Sequence, residues 1–262
     1  MLNVIFNLNL VLQALIAGLF TFSITVIGAA VVFIFKNKNK KFMNINLSLS
    51  AGIMLAASFF SLLMPSIKMS EELKLIPWLI VLIGFTLGSA LLFFSDLFFK
   101  RIIKNNIDAK KRCYMIFSSI TLHNIPEGMA VGVAFGSVLY HLDGATIISA
   151  WTLALSIAIQ NFPEGSAISL PLYSSGMKKK KAFMFSVLSA IVEPISSVIG
   201  AVLVMKIRIL LPILLAFAAG AMIYVVVKEI IPESQNEKNN DLIGIYAIIG
   251  FVIMMVLDLS LG

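Results

Sequence analysis

Two near-copies of one short motif, HNIPEG from His123 to Gly128 and QNFPEG from Gln160 to Gly165, stand inside apolar stretches of helix length. Each combines a carboxylate and an amide with an imidazole or a second amide. Such groups are costly in hydrocarbon, and an ionisable residue at that depth marks an ion pathway by default. His123 and Glu127 are four residues apart, as are Gln160 and Glu164, so each pair projects from one face of a helix. Asn124 and Asn161, each three residues before its glutamate, add amide oxygens on an adjoining stripe. Pro126 and Pro163 have no amide hydrogen. They kink the helix and free the carbonyls of Leu122 and Ile159, which membrane helices tolerate where the freed groups line a cavity.

Depth brings the motifs together. At about 1.5 Å per residue, His123 lies ~13 Å past Tyr114 in a core ~30 Å thick. Gln160 and Glu193 reach a similar depth from Ala145 and Ala182. Glu193, followed by Pro194, thus supplies a third carboxylate. Three ionised glutamates would repel one another in a low-dielectric bundle, so either some are protonated or a cation neutralises them. A divalent cation does so most directly. Imidazole, carboxylate and amide oxygen together suit zinc, iron or manganese better than calcium, which prefers oxygen alone. Two glutamates could bridge a pair of metals if the asparagines complete a second site. A single buried His or Glu is often only polar glue between helices. Two six-residue copies plus Glu193 are better explained by a site. Met54 offers a thioether at compatible depth, although methionine in an apolar helix is usually packing.

The elements that must hold these residues are membrane helices. The chain of 262 residues is 60% hydrophobic and 13% charged, against about 45–50% and about 25% in soluble domains. Eight segments are apolar over roughly the 20 residues a span requires: 8–35, 45–67, 76–99, 114–139, 145–172, 182–205, 209–231 and 242–261. The first is too long for a signal-peptide core and has no basic residue before it, so it is read as a retained span. Short connections predict one all-α integral membrane domain over residues 1–262. The net charge of +7 is gathered in loop clusters, which argues for topology signals and against nucleic-acid binding. Lys36, Lys38, Lys40 and Lys41 lie in the first loop, Lys100, Arg101, Lys104, Lys110, Lys111 and Arg112 in the third, and Lys178 to Lys181 in the fifth. The odd loops are therefore expected in the cytoplasm and both termini outside. Cys113 is the single cysteine, so no internal disulfide can form.

A weaker repeat links Ala51-Gly52-Ile53-Met54, before Pro65, with Ala219-Gly220-Ala221-Met222, before Pro232. With both termini outside, these stretches run in opposite directions. This is the relation required by an inverted repeat of three helices, two central helices and three helices (3+2+3), with substrate held near the midplane. The four-residue spacing of Gly84 and Gly88, and of Gly128, Gly132 and Gly136, permits close helix packing.

The two motifs resemble the signature helices of ZIP (Zrt/Irt-like) metal transporters. Glu193-Pro194, the stretch from Ala51 to Pro65 and that from Ala218 to Ser234 are similar to the bacterial GufA-like branch, so the resemblance spans almost the whole chain. It implies import of divalent metal into the cytoplasm across a bacterial cytoplasmic membrane: chiefly Zn2+, with Fe2+, Mn2+ and Cd2+ as further candidates. It also implies a binuclear site between spans four, five and six, and an elevator-like sliding of the central helices. Met54, His123, Glu127, Gln160, Glu164 and Glu193 would be primary ligands. Asn124 and Asn161 would join the shared glutamates at the second site, and Glu229 would stand at a possible exit site. The metal is substrate and no cofactor is implied. The partners are metal ions and the lipid bilayer, and a homodimer is an allowed assembly. Departures from the family pattern are Gln160 in place of a common His, Asn161 in place of an Asp found in some relatives, Lys228 in place of a His before Glu229, and a third loop without His.

An intramembrane metalloprotease would need a motif such as HExxH. The chain has two histidines, His123 and His141, and no such motif, so no enzyme is expected. A metal-gated channel or a metal sensor of the same fold uses the same ligands and stays open as an alternative. His141 and Asp143 read as a solvated turn at the outer mouth.

Overall fold

The computed structural model describes residues 8–34, 40–102, 109–142, 144–235 and 242–261. All regular structure among them is helical. Helix α1 is Leu10–Ile34. Helix α2 comprises Lys40–Ala57, a π turn Ser58–Leu63 and Met64–Glu72. Helix α3 is Pro77–Ile102, α4 is Ala109–Ser137 and α5 is Ile147–Ser174. Helix α6 is interrupted at Ile191 between Lys179–Ala190 and Val192–Lys206. Helix α7 comprises Leu210–Val225, a π turn Val226–Ile230 and Ile231–Ser234. Helix α8 is Leu242–Leu261.

Five of these, α1, α2, α3, α6 and α7, are long and apolar enough to cross a membrane, and Gly244–Ser260 of α8 is a shorter apolar helix. In α5 the polar motif itself dilutes the apolar character. The surface and interior are those of a membrane protein. Leu87, Phe94, Ile148, Ile248 and Leu259 are exposed, while Gln13, Ser50, Asn124, Glu127, Gln160 and Glu193 are buried. A soluble fold distributes these residue types the other way.

Helix pairs form the framework. Helix α1 lies along α5, α4 along α6, α3 along α7 and α2 along α8. Glycine makes each seam possible. A Cβ at Gly28 would strike the Phe162 carbonyl, and one at Gly165 the Thr25 carbonyl. Gly128, Gly132 and Gly136 face Glu193, Ser197 and Ala201 in turn, so the four-residue glycine spacing becomes the α4–α6 seam. Gly52 abuts Ala247, and Gly88 abuts Phe217. Both π turns precede a proline, Pro65 or Pro232. The wider turn accommodates a residue that cannot donate to the carbonyl one turn back. Continuous spans were expected for α2, α6 and α7. The turns and the break at Ile191 depart from that, because hydropathy reports apolar content and not hydrogen-bond register.

Candidate metal centre

The prolines of the twin motifs do not end their helices: Pro126 lies within α4 and Pro163 within α5. The helices therefore present their polar residues as continuous faces. Gln160 Nε2 donates to Glu127 Oε1 at 2.9 Å, joining the first motif to the second. Asn161 Nδ2 donates to Glu193 Oε2 at 2.8 Å, joining the second motif to α6. Asn124 Nδ2 donates to the Ser189 carbonyl at 2.9 Å, just before the break in α6. Glu127, Glu164 and Glu193 are buried and lie within electrostatic range of one another.

This amide pattern determines the chemistry of the site. Each amide turns its nitrogen toward a carboxylate or a carbonyl, which leaves its oxygen over. Asn124 Oδ1, Gln160 Oε1, Asn161 Oδ1 and Glu127 Oε2 are all buried without a hydrogen-bond partner. A buried acceptor left unmade costs about 1–3 kcal/mol, so three amide oxygens and one carboxylate oxygen left over at this cluster form an arrangement that a cation would satisfy. Among the described residues, no group of three His, Cys, Asp or Glu side chains converges to hold an ion. The unpartnered amide oxygens of Asn124, Gln160 and Asn161 are available to a metal beside the carboxylates. The oxygens suit hard and borderline divalent ions.

The other predicted site residues fall as follows. His123 is in α4, but its side chain lies outside the described residues. Met54 is fully buried in α2 within the apolar core, and Ser50 Oγ donates to its sulfur at 3.8 Å. Glu229 is half-buried in the π turn of α7 beside the exposed Lys228. Tyr224 is within electrostatic range of both Glu229 and Asp96 of α3. His141 is exposed in a left-handed turn with φ 50°, and Asp143 lies outside the described residues.

Helix α1 also contributes to the cluster, which was not expected from the sequence. Thr25 Oγ1 donates to Glu193 Oε1 at 3.1 Å, and Asn161 Nδ2 also reaches the Thr21 carbonyl at 3.4 Å. The signal was a pair of hydroxyl residues four apart in an apolar helix. Asn46 of α2 was also missed. Its Nδ2 donates to the Pro163 carbonyl at 3.1 Å and to Ser166 Oγ at 2.6 Å. On α8, Asp258 accepts from Ser61 at 2.6 Å and from Ser156 at 3.0 Å, linking α2 and α5. A lone carboxylate in an apolar terminal helix was its signal.

Residues 104–258 match the family described as ZIP Zinc transporter. The chain is 34% identical to zinc transporter ZIP11 of Homo sapiens, over 96% of this chain and 98% of that protein. It is 32% identical to zinc transporter ZIPB of Bordetella bronchiseptica, over 95% and 81% respectively. To zinc transporter GufA of Myxococcus xanthus it is 37% identical, over 55% of this chain and 54% of that protein. The matched region contains both motifs and Glu193, and the longer alignments add α1 to α3. The chain belongs to the ZIP family of zinc transporters.

Proposed function

We propose that this protein imports divalent metal, chiefly zinc, into the cytoplasm through a binuclear site between α4, α5 and α6. Fe2+, Mn2+ and Cd2+ are further candidate substrates. The observation that carries this reading is the set of buried, unpartnered oxygens, three from amides and one from Glu127, at the cluster of Glu127, Glu164 and Glu193. Glu127, Glu164 and Glu193, with His123, Gln160 and Met54, form the primary site. Asn124 and Asn161 complete the second position by sharing glutamates. Glu229 receives metal at the cytoplasmic end of α7. The cation neutralises the carboxylates, which lowers the cost of their common burial. The relatives are named as transporters, in keeping with a non-enzymatic role.

The architecture proposed is a single domain of eight spans in a 3+2+3 inverted repeat. The pairing of helices supports it. Exchanging α1, α2 and α3 with α6, α7 and α8, and α4 with α5, turns the α1–α5 pair into α6–α4 and the α2–α8 pair into α7–α3. The two π turns also exchange. Helices α1, α4, α5 and α6 carry the glutamates and their polar partners and pack on one another. Together they form the body that slides, elevator-like, against α2, α3, α7 and α8. The protein is assigned to the GufA-like branch and to a bacterial cytoplasmic membrane, with both termini outside. A homodimer remains an allowed assembly.

Radiolabelled zinc uptake into proteoliposomes, with iron, manganese and cadmium as competitors, tests the reading. Slow, saturable uptake is expected, with zinc the strongest competitor. Flux approaching channel rates would favour a metal-gated pore, and binding without flux a sensor.

A further inference from the structure

We infer that Thr25 of α1 is a positioning residue for metal binding, holding the Glu193 carboxylate in its ligating orientation. The inference rests on the proposed role of Glu193 as a ligand. Helix α1 is clamped against both neighbours by close backbone approaches. A Cβ at Gly165 would strike the Thr25 carbonyl, and one at Gly18 would come within 2.8 Å of Pro194 Cα. Ser197 Oγ adds a hydrogen bond of 2.7 Å to the Ala14 carbonyl. These contacts fix α1 along the start of the second segment of α6, where Glu193 lies in the first turn.

Thr25 is fully buried there. Its hydroxyl proton has two acceptors, Glu193 Oε1 at 3.1 Å and the Thr21 carbonyl at 3.2 Å. Glu193 Oε2 is held by Asn161 Nδ2 at 2.8 Å. Each carboxylate oxygen thus receives a neutral donor, and the Thr21 side chain also acts on Glu193, the arrangement by which an outer shell orients a metal-ligating carboxylate. The Thr21 carbonyl gives the Thr25 proton a second acceptor. Glu193 can therefore move during a transport cycle without leaving a buried donor unmade.

The test uses three substitutions at Thr25. Thr25→Val removes the hydroxyl at nearly constant volume, Thr25→Ala removes it with less volume, and Thr25→Ser keeps it. Zinc is titrated calorimetrically into the full-length protein in detergent, and uptake into proteoliposomes gives KM and kcat. Both hydroxyl-free variants should weaken Kd and raise KM by about tenfold to a hundredfold, with kcat within about twofold of wild type and Thr25→Ser unchanged. An unaltered Kd in either hydroxyl-free variant, a loss confined to kcat, or an equal loss in Thr25→Ser overturns the inference. Glu193→Gln separates the two readings. If it leaves Kd and KM at wild-type values, the site assignment fails and the positioning role with it. If it weakens zinc while Thr25→Val and Thr25→Ala do not, the site stands and only the role of Thr25 falls.

Discussion

At the scale of single residues, chemistry follows from which atom of each amide is spent. Gln160 and Asn161 give their nitrogens to Glu127 and Glu193, and their oxygens are left over. Removing Glu127 or Glu164 should therefore abolish uptake, because charge compensation and a ligand are lost together. Radiometal uptake by Glu127→Ala and Glu164→Ala, scored beside their membrane insertion, checks this. Near-wild-type transport by both defeats the shared-site assignment. Asn161→Asp exchanges the amide that donates to Glu193 for a carboxylate, adding a negative charge that a cation must balance, and should raise zinc occupancy at the second position, read as calorimetric stoichiometry. The motif residues were legible in the sequence because polar groups in apolar helices stand out. Thr21 and Thr25 were not, because a helical threonine ordinarily bonds its own backbone. Thr25 does that and also reaches Glu193.

At the scale of elements, backbone approach at glycine decides which helices can share a site. Gly165→Val would drive α1 from α5 and move Thr25 from Glu193. Overpacking of this kind costs about 1–3 kcal/mol, so thermal stability in detergent should fall by several degrees. Gly244→Ala is the control, since a Cβ there meets nothing within 4 Å, and its melting temperature should match wild type. Equal melting of the two variants would contradict the role assigned to the seam. Each apolar segment read from the sequence falls on a helix, and the glycine spacing in α4 correctly anticipates close packing. The π turns in α2 and α7 and the break at Ile191 were not legible, although the prolines beside them were visible. A proline marks a disturbed register without specifying whether the helix widens, breaks or continues, and Pro126 and Pro163 continue.

At the scale of the whole molecule, loop charge predicts the topology, with the basic odd loops inside and both termini outside. In a Cys113→Ser background, a cysteine placed at Ser175 should resist labelling by an impermeant reagent on intact cells, and one at Gly144 should react. The opposite pattern reverses the topology. The pH dependence has a definite sign. Zinc ligation needs neutral imidazole and ionised carboxylates, so protons compete with metal. Uptake should fall as external pH drops and the ligands take up protons. Uptake that instead rises steadily with proton concentration indicates proton-coupled import.

The central claim is that metal binds within the membrane among the three glutamates. Anomalous diffraction at the zinc edge, from crystals of the zinc-loaded protein, tests it most directly. A peak is expected about 2.0–2.2 Å from carboxylate oxygens of Glu127, Glu164 and Glu193, with a second peak bridged by the shared glutamates and completed by Asn124 and Asn161. Zinc peaks confined to surface residues, with none among these side chains, would contradict it.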